Sequence, residues 1–330
     1  MKILLTGATG FVGRNFLLRA QAKGWRVLAV VRDAGKLDAQ LRAEGVPGRL
    51  VEPIGPDPAT WPSLAGLDAA VHCAGALFER SLHAYLRTNV DWTLNVLGAI
   101  PPGCPAVVLS SQSAGGPTPA GLDARDEDCP DEPVSDYGES KLRMERAILK
   151  SRDMSRTAIL RPPMILGPRD AATLQLFTMA GGLVRPKPGL VPKAFSFLAV
   201  EDLLAAIELA LADPSALGGR PSYVASRTAV TDLDLVRTAA ACCGGRGIDL
   251  PLPLIAVRAL SAVVDALPPL RAKFPSLTRD RAREILPDRW VVDPSVFEKA
   301  TGWRAKVSLE ETLAAAWARH TKPAAARSAQ

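Results

Sequence analysis

The sequence predicts an α/β protein whose first part is a doubly wound parallel sheet and whose second part is a smaller, mostly helical domain. Short apolar runs alternate with segments of helical spacing through residue 165, and a glycine-rich turn directly follows the first run, "KILLTG". After "ILGPRD" this alternation stops, and glycine and proline become dense. Strands that alternate with helices form right-handed crossovers, which build a parallel sheet covered by helices on both faces.

Each predicted strand is a short apolar run that ends in small or turn-forming residues. The runs are "KILLTG", "WRVLAVV", "LDAAVHCAG", "AVVLSS" and "TAILRPP", and "FVGRNFLLRAQAKG" has the spacing of the first helix. We assign residues 1–165 to the sheet domain, with 195–228 returning to it. The second domain, which we expect to bind substrate, then comprises 166–194 and 229–320, and residues 321–330 form a flexible tail.

The composition is that of an ordinary globular protein. The chain has 330 residues, 48% hydrophobic and 22% charged, which is enough for one large domain or two unequal ones. The net charge is +6, and the basic residues are scattered rather than clustered in runs. We therefore expect no nucleic-acid partner; anionic small ligands suit this balance better.

The cysteines predict a protein from a reducing compartment. There are five of them, none in a CxxC pair and none at metal-ligand spacing: Cys73, Cys104, Cys129, Cys242 and Cys243. The odd count and the lack of a signal-peptide pattern predict a cytoplasmic protein with no metal site.

No apolar run reaches the roughly 18 residues that a membrane-spanning helix needs. The nearest is the segment 252–270, which Arg258, Asp265 and Pro268 interrupt. We interpret it as a helix that covers a pocket or the core, and we expect no integral membrane segment. A peripheral membrane contact of this segment stays open.

The stretch "TGATGFVG" predicts a phosphate-binding turn. Gly7, Gly10 and Gly13 follow a predicted strand directly and open a helix, which is the context that a dinucleotide-binding fold requires. Gly7 permits the tight turn, Gly10 lets the backbone approach a pyrophosphate, and Gly13 lets the helix pack on the sheet. The helix N-terminus supplies free N–H groups and the positive end of its dipole.

The end of the second strand predicts which ribose is bound. An NAD-type ribose needs a carboxylate at the strand tip, but Val31 takes that place and Arg32 comes next. An arginine there pairs with a 2′-phosphate in fork geometry, which favours NADP(H) over NAD(H). Asp33 keeps NAD(H) open, since it lies about twenty residues beyond the glycines, although it also suits a cap of the next helix.

The stretch "YGESK" predicts the acid/base chemistry. Tyr137 and Lys141 are four residues apart, so on a helix both side chains share one face. A lysine ammonium beside a phenol lowers the pKa of the phenol from about 10, which would let it transfer a proton near neutral pH. Ser111, at the end of the strand "VVLSS", is placed to hydrogen-bond a substrate oxygen.

Together these motifs resemble the extended branch of the short-chain dehydrogenase/reductase superfamily, the NAD(P)-dependent epimerase/dehydratase family, with a Rossmann-type sheet. The resemblance covers nearly the whole chain and includes "TGATGFVG", "LDAAVHCAG", "RTNVDWTLNVL", "VVLSSQSAGGP", "PVSDYGESK", "LRPPMILGPRD", "SFLAVEDLLAAI" and "WVVDPSVFEKATGWRAKVSLEETLAAAW". It implies that Tyr137 is the general acid/base, that Lys141 holds the nicotinamide ribose and that Ser111, rather than Ser110 or Ser113, orients the reacting oxygen. It also implies a homodimer formed through a helix pair that includes the Tyr–Lys helix.

The same resemblance implies the residues that bind the cofactor. Asn89 joins a proton relay or only ties its helix to the sheet. Asp57, in "VEPIGPDP", takes the place of the residue that holds the adenine, although the family's Gly-Asp pair is missing there. The full implied set is Gly7, Gly10, Phe11, Val12, Gly13, Arg32, Asp57, Ala74, Gly75, Ala76, Asn89, Ser110, Tyr137, Lys141 and Pro162.

Three functions stay open at this point. The pair Pro162–Pro163 after Arg161 resembles the 3β-hydroxysteroid dehydrogenase and dihydroflavonol reductase groups. The segments "LQLFTMAGGLV", "FSFL" and "PLPLIAVRALSAVV" predict an apolar pocket. We therefore expect an NADP(H)-dependent oxidoreductase that interconverts a hydroxyl and a ketone on a hydrophobic molecule such as a sterol.

The first alternative is a nucleotide-sugar epimerase or dehydratase that recycles its cofactor. Four basic residues are either phosphate clamps for such a substrate or solvated loop charges: Arg169, Arg185, Lys187 and Lys193. The second alternative is a non-catalytic NADP(H)-binding protein, which the intact Ser111, Tyr137 and Lys141 argue against.

Overall fold

The computed structural model describes residues 1–46 and 48–321. Of the predicted tail 321–330, Thr321 is the last residue of a helix, and the rest lies outside the described residues. The strands are β1 (Lys2–Thr6), β2 (Arg26–Val30), β3 (Val51–Ile54), β4 (Ala69–His72), β5 (Ala106–Leu109), β6 (Thr157–Arg161), β7 (Met164–Leu166), β8 (Val184–Pro188), β9 (Ala194–Phe195), β10 (Phe197–Ala199), β11 (Ser222–Tyr223), β12 (Val230–Thr231), β13 (Ile248–Leu252) and β14 (Arg289–Trp290).

The helices alternate with these strands in the first half and dominate the second. They are α1 (Phe11–Ala22), α2 (Ala34–Ala43), α3 (Leu82–Leu86), α4 (Trp92–Ala99), α5 (Asp136–Ser151), α6 (Ala171–Ala180), α7 (Val200–Ala212), α8 (Asp232–Cys243), α9 (Leu254–Ala266), α10 (Pro268–Lys273), α11 (Arg279–Ile285), α12 (Ser295–Thr301) and α13 (Leu309–Thr321). Among the described residues, none of these helices combines the length and the apolar content needed to cross a bilayer.

The central sheet has seven parallel strands in the order β11-β6-β5-β4-β1-β2-β3. The strand order reverses between β1 and β4, and in open α/β sheets this switch point is where ligands bind, at the carboxyl ends of the strands. The predicted doubly wound sheet is therefore confirmed. Its strands are nearly continuous in apolar residues because both faces are covered.

Two apolar cores lie on the two faces of this sheet. One packs Ile3, Leu5 and Phe16 against α7, and the other packs Leu4 and Val108 against α4 and α5. A third core lies outside the sheet, where α6, α8 and α13 meet. Strand β11 pairs with β6 and completes the sheet, so the segment from β10 to β11 supplies its last strand.

The second part contains strands that the sequence did not predict. In the glycine- and proline-rich stretch, β8 pairs with β13 in a two-stranded parallel ribbon, and β9 joins β12 and β14 in a small three-stranded sheet. Prolines at positions 186, 188 and 251 interrupt the apolar pattern, so periodicity gave no signal for the ribbon. Helices α10 and α11 both pack against α9, and α11 also contacts α5.

Candidate active site

The glycine-rich turn forms a cradle at the switch point of the sheet. Gly7 has a φ of +71°, and a Cβ there would lie 2.8 Å from the backbone nitrogen of Ala74, at the end of the neighbouring strand. A Cβ on Gly13 would lie 2.2 Å from the Gly7 carbonyl oxygen. Side chains at these two positions would therefore push the turn away from β4 and the helix away from the turn.

The N-terminus of α1 is left open toward this cradle. Gly10 is the N-cap residue, has no side chain to cap the helix, and its own N–H donates to the Gly7 carbonyl at 2.8 Å. The first turn, which includes Phe11 and Val12, holds no acidic residue. The free N–H groups and the positive end of the dipole therefore suit a pyrophosphate, and the residues present fit a dinucleotide.

The three residues after β2 differ in their exposure and in their contacts. Val31 is buried, and Arg32 is exposed directly beyond the strand. Asp33 is the N-cap of α2, where its Oδ1 accepts the backbone N–H of Lys36 at 2.9 Å. Of the two roles that the sequence left open for Asp33, the helix cap is the one that the structure contains.

Asp57 lies in an exposed turn beyond β3. Its carboxylate accepts the backbone N–H of Ala59 at 3.0 Å and caps the short turn Pro58–Thr60. The Asp57 side chain therefore stabilises a turn at the edge of the sheet, where the adenine is expected to bind.

The segment after β4 is fixed by one buried amide. The Asn89 Oδ1 accepts the Ala76 N–H at 2.7 Å, and its Nδ2 donates to the Ala76 carbonyl at 3.1 Å and to the Ser140 hydroxyl at 2.9 Å. Gly75 lies between this amide and the Lys141 ammonium. These bonds match the tie that the sequence allowed for Asn89. They lie in a π-helical turn, Arg87–Asp91, a feature that often marks functional sites.

Ser111 and Tyr137 meet above the end of β5. Ser111 caps the turn Gln112–Ala114, where its Oγ accepts the Ser113 N–H at 3.1 Å, and its hydroxyl lies near enough to the Tyr137 phenol to influence its pKa. Pro162 closes the turn from the next strand, since its carbonyl accepts the Gln112 N–H at 2.9 Å. Helix α5 begins at Asp136, so Tyr137 sits in its first turn.

The structure does not agree with the expectation that Lys141 lowers the pKa of the Tyr137 phenol. Burial raises the pKa of Tyr137 to about 12, although the nearby Arg281 and the nearby Ser111 hydroxyl act in the opposite direction. The Lys141 Nζ instead donates to the Leu109 carbonyl at 2.9 Å, and burial lowers the pKa of this ammonium to about 8. The expectation of a lowered tyrosine pKa was wrong here, because desolvation of the phenol outweighs the attraction of nearby positive charge.

A buried ionic network beneath Lys141 was missed by sequence reasoning. Glu145 forms an ion pair with Arg161 at 2.6 Å, and Arg161 also pairs with Asp131 at 2.8 Å and donates to the Tyr223 hydroxyl at 3.2 Å. The Ser110 hydroxyl donates to the same Glu145 carboxylate, so its proton is already used in a hydrogen bond within the protein. The four-residue spacing from Lys141 to Glu145 on α5 was the available signal.

A second missed residue comes from the C-terminal half. The Arg281 guanidinium on α11 lies 5.0 Å from the centre of the Tyr137 ring and 5.8 Å from that of Phe78. It pairs with Glu284 at 2.8 Å, and Glu284 accepts the hydroxyl of Ser135, the N-cap of α5. Helix α11 therefore closes over the start of the Tyr–Lys helix. Nothing in the local sequence signals this contact.

The first of the four candidate phosphate clamps, Arg169, is engaged in an ion pair within the protein. Arg169 has a left-handed φ of 74° and pairs with Glu44 at 2.9 Å, a carboxylate that also holds Arg14 and Arg319. Burial raises the pKa of Glu44 but hydrogen bonds and charges from the arginines outweigh it, so the pKa falls to about 2.

The other clamps are equally engaged. Arg185 pairs with Asp249 at 2.8 Å. The Lys187 ammonium donates to two backbone carbonyls in the turn after β8, at 3.1 and 2.7 Å. The Lys193 ammonium donates to three carbonyls at the end of α11, at 2.7, 2.8 and 3.1 Å. All three side chains are buried, so neither of the roles left open by the sequence describes them.

Comparison with known proteins decides the family. A family model described as the NAD dependent epimerase/dehydratase family matches residues 3–225. The chain belongs to this family. It is 29% identical over 312 residues to a ceramide reductase of Caulobacter vibrioides, spanning 93% of this chain and 90% of that relative. It is 27% identical over 341 residues to a 2-alkyl-3-oxoalkanoate reductase of Stenotrophomonas maltophilia, spanning 95% and 97%.

A solved structure supports the same fold. The UDP-glucuronic acid 4-epimerase from Bacillus cereus, in complex with NAD, superposes with a TM-score of 0.73 at 19% identity, over 97% of this chain and 98% of that one. The predicted family and fold are thus confirmed. The chain is an NAD(P)-dependent oxidoreductase of the short-chain dehydrogenase/reductase type that acts on CH–OH groups, and its cofactor is a nicotinamide dinucleotide.

Proposed function

We propose that this chain is an NADPH-dependent reductase that converts a ketone on an alkyl-chain lipid into a hydroxyl group. The observation that carries the substrate class is the internal pairing of Arg169, Arg185, Lys187 and Lys193. Because these four side chains are engaged within the protein, they do not form a clamp for the diphosphate of a sugar nucleotide. That favours the oxidoreductase over the epimerase alternative.

The names of two relatives narrow the range of hydrophobic substrates that we propose. The names of the two curated relatives refer to a ceramide and to a 2-alkyl-3-oxoalkanoate, and both of these molecules carry alkyl chains. An alkyl-chain ketone therefore has more support than the sterol that the sequence suggested. The division into a sheet domain and a substrate domain, the homodimer and the cytoplasmic location stay predictions.

The preference for NADPH rests on the tip of β2. Arg32 is exposed there, and Asp33 is used as a helix cap, with Oδ1 2.9 Å from the Lys36 nitrogen. A guanidinium at this position suits a 2′-phosphate, and a carboxylate already bonded to the helix is less suited to a free ribose hydroxyl.

The proposed chemistry uses three side chains. When bound, the nicotinamide supplies the hydride. Tyr137 donates its phenolic proton to the carbonyl oxygen, and Ser111 donates a hydrogen bond to that oxygen as negative charge develops. The pKa of about 12 keeps Tyr137 protonated at neutral pH, which suits a proton donor. The positive charge of Arg281, 5.0 Å from the centre of the Tyr137 ring, stabilises the tyrosinate that remains.

The test is turnover of a long-chain 3-oxoalkanoate ester with NADPH, followed by NADPH absorbance and by mass detection of the hydroxy product. We expect the Tyr137→Phe variant to lose about 10²- to 10⁴-fold in kcat while it binds NADPH as before. A variant that keeps most of its kcat would contradict the role of Tyr137. Mass analysis of nucleotide released on denaturation separates the alternative, because a stoichiometric oxidised dinucleotide would indicate a recycled cofactor and an epimerase.

The cofactor preference has its own test. Arg32→Ala should raise the KM for NADPH by about tenfold or more, since a charge-assisted bond to the 2′-phosphate is lost, and should leave the KM for NADH nearly unchanged. Equal effects on both nucleotides would refute the 2′-phosphate contact and favour NAD(H).

A further inference from the structure

The two-stranded ribbon turns its apolar side chains outward and its charged side chains inward. In its register Val184 lies beside Ile248, and the next pair along is Arg185 beside Asp249. The Arg185–Asp249 ion pair faces the protein, whereas Ile248 is 67% exposed. Since successive side chains on a strand point to opposite faces, one face of the ribbon is apolar and open to solvent. The exposed apolar residues here are Leu183, Val184, Leu190, Val191, Ile248 and Leu250.

Helix α9 extends this surface. Leu254 packs against Gly189 in the turn after β8, which joins the start of the helix to the ribbon. Ile255 is 73% exposed, and Ala259 and Val263 follow on the exposed side at four-residue spacing. We call the exposed apolar side chains of residues 183–191, 248–255 and α9 the apolar platform. A surface of this kind on a folded chain marks an interaction site.

The charge near the apolar platform is mainly positive. Residues 250–279 contain four basic residues and a single acidic one. The acidic one, Asp265, is paired with Arg271 at 2.9 Å. Arg258, Lys273 and Arg279 are exposed. Apolar side chains fringed by cations complement a membrane surface, where the apolar groups enter the acyl boundary and the cations meet anionic headgroups.

Part of the same region lines a cleft near the candidate active site. A cleft between the loop after β4 and helix α10 is lined by Phe78, Glu79, Arg80, Pro268, Arg271 and Thr278. From Phe78 the Arg281 side chain leads to the Tyr137 ring, with contacts of 5.8 and 5.0 Å. Helix α10, on one wall of this cleft, directly follows α9 in the chain.

We propose that the apolar platform and its cationic fringe dock this protein on the surface of a lipid bilayer that carries anionic headgroups. Docking would present the cleft to the membrane. The inference goes beyond the proposed reductase function, because binding to vesicles requires neither cofactor nor turnover. A second copy of the chain is the less suitable occupant, since a two-fold contact through this surface would bring the cationic fringes of both copies together.

The test is vesicle flotation with the full chain. One set of vesicles contains phosphatidylcholine alone, and the other contains phosphatidylcholine with phosphatidylglycerol. We expect binding to the anionic vesicles that weakens as salt rises. Ile248→Ser/Ile255→Ser should weaken it by about tenfold or more. Arg258→Glu/Lys273→Glu should weaken it by about fivefold or more per charge.

A matched control separates this surface from general stickiness. Leu122 and Leu209 are 47% and 39% exposed and lie outside the apolar platform, so Leu122→Ser/Leu209→Ser should bind vesicles as the parent chain does. Retained NADPH binding and an unchanged Tm would show that each variant is folded. The proposal is overturned if the parent chain does not float, if the control loses as much as the platform variant, or if the platform variant instead abolishes a dimer in sedimentation without changing flotation.

Discussion

The central sheet and the ribbon β8–β13 are both built from parallel strands, yet they distribute apolar and charged side chains in opposite ways. In β1 the residues Ile3, Leu4 and Leu5 are buried on both faces of the sheet. In the ribbon, Arg185 and Lys187 are buried and Ile248 is exposed. Strand pairing alone therefore does not say which face meets solvent. The side chains of the sheet strand are buried on both faces, whereas the ribbon exposes one apolar face to solvent.

The two regions are also stabilised differently. The sheet buries apolar area on both faces, which is the dominant favourable term in folding. The ribbon has little such burial, and polar contacts hold its inner face: the Arg185–Asp249 pair and the Lys187 ammonium on two carbonyls. The sheet region also contains buried charge, but beneath the candidate catalytic residues, where Glu145 pairs with Arg161.

The first prediction compares the regions by breaking one ion pair in each. Glu145→Gln should lower the free energy of unfolding by about 3 kcal/mol, because it leaves the Arg161 guanidinium buried with only the half-exposed Asp131 as a charged partner. Asp249→Asn, the matched change in the ribbon, should cost less, about 1 kcal/mol, since the Asp249 side chain is 18% exposed whereas that of Glu145 is 1% exposed. Urea unfolding of both variants measures the difference. Equal losses of unfolding free energy would show that the ion pair in the ribbon is as well shielded from water as the one in the sheet.

The second prediction concerns His72 at the end of β4, a histidine that burial keeps neutral. His72 is fully buried between the hydroxyls of Thr6 and Thr93, at 3.0 and 2.9 Å, and burial lowers its pKa to about 3. The folded protein therefore binds this proton less readily than the unfolded chain does. Stability from His72 is complete above about pH 6.5 and is lost as the pH falls toward 3.

In His72→Asn this contribution disappears. The pH dependence of the unfolding free energy between pH 6 and 4 should become shallower by up to about 1.4 kcal/mol per pH unit. Chemical unfolding at several pH values measures the slope. Parallel slopes for the parent and the variant would mean that His72 titrates normally in the folded state.

The sequence predicted the sheet region far better than the ribbon, and the reason is physical. "KILLTG" is a continuous apolar strand, and "TGATGFVG" places glycines where neighbouring backbone leaves no room for a side chain. The local sequence pattern and the overall fold therefore agree. Tyr137 and Lys141 share a helix, and their spacing alone placed them together. Arg281 is 144 residues away from Tyr137 in the chain, and its contact depends on how α11 packs on α5. In the ribbon, prolines at three of ten strand positions concealed the pattern of period two.

The smallest expected effect tests the comparison most directly. Ile248→Ala on the ribbon should change the free energy of unfolding by less than about 0.5 kcal/mol, because a side chain that is 67% exposed loses few contacts. Ile3→Ala, the same chemical change in β1, should cost about 2–5 kcal/mol, because it removes buried surface and leaves a cavity. Urea unfolding of the two variants under one condition gives both numbers. A loss above 1 kcal/mol for Ile248→Ala would mean that this side chain already contributes to the fold, and the outward face of the ribbon would then be part of the protein's own core rather than a surface kept for a partner.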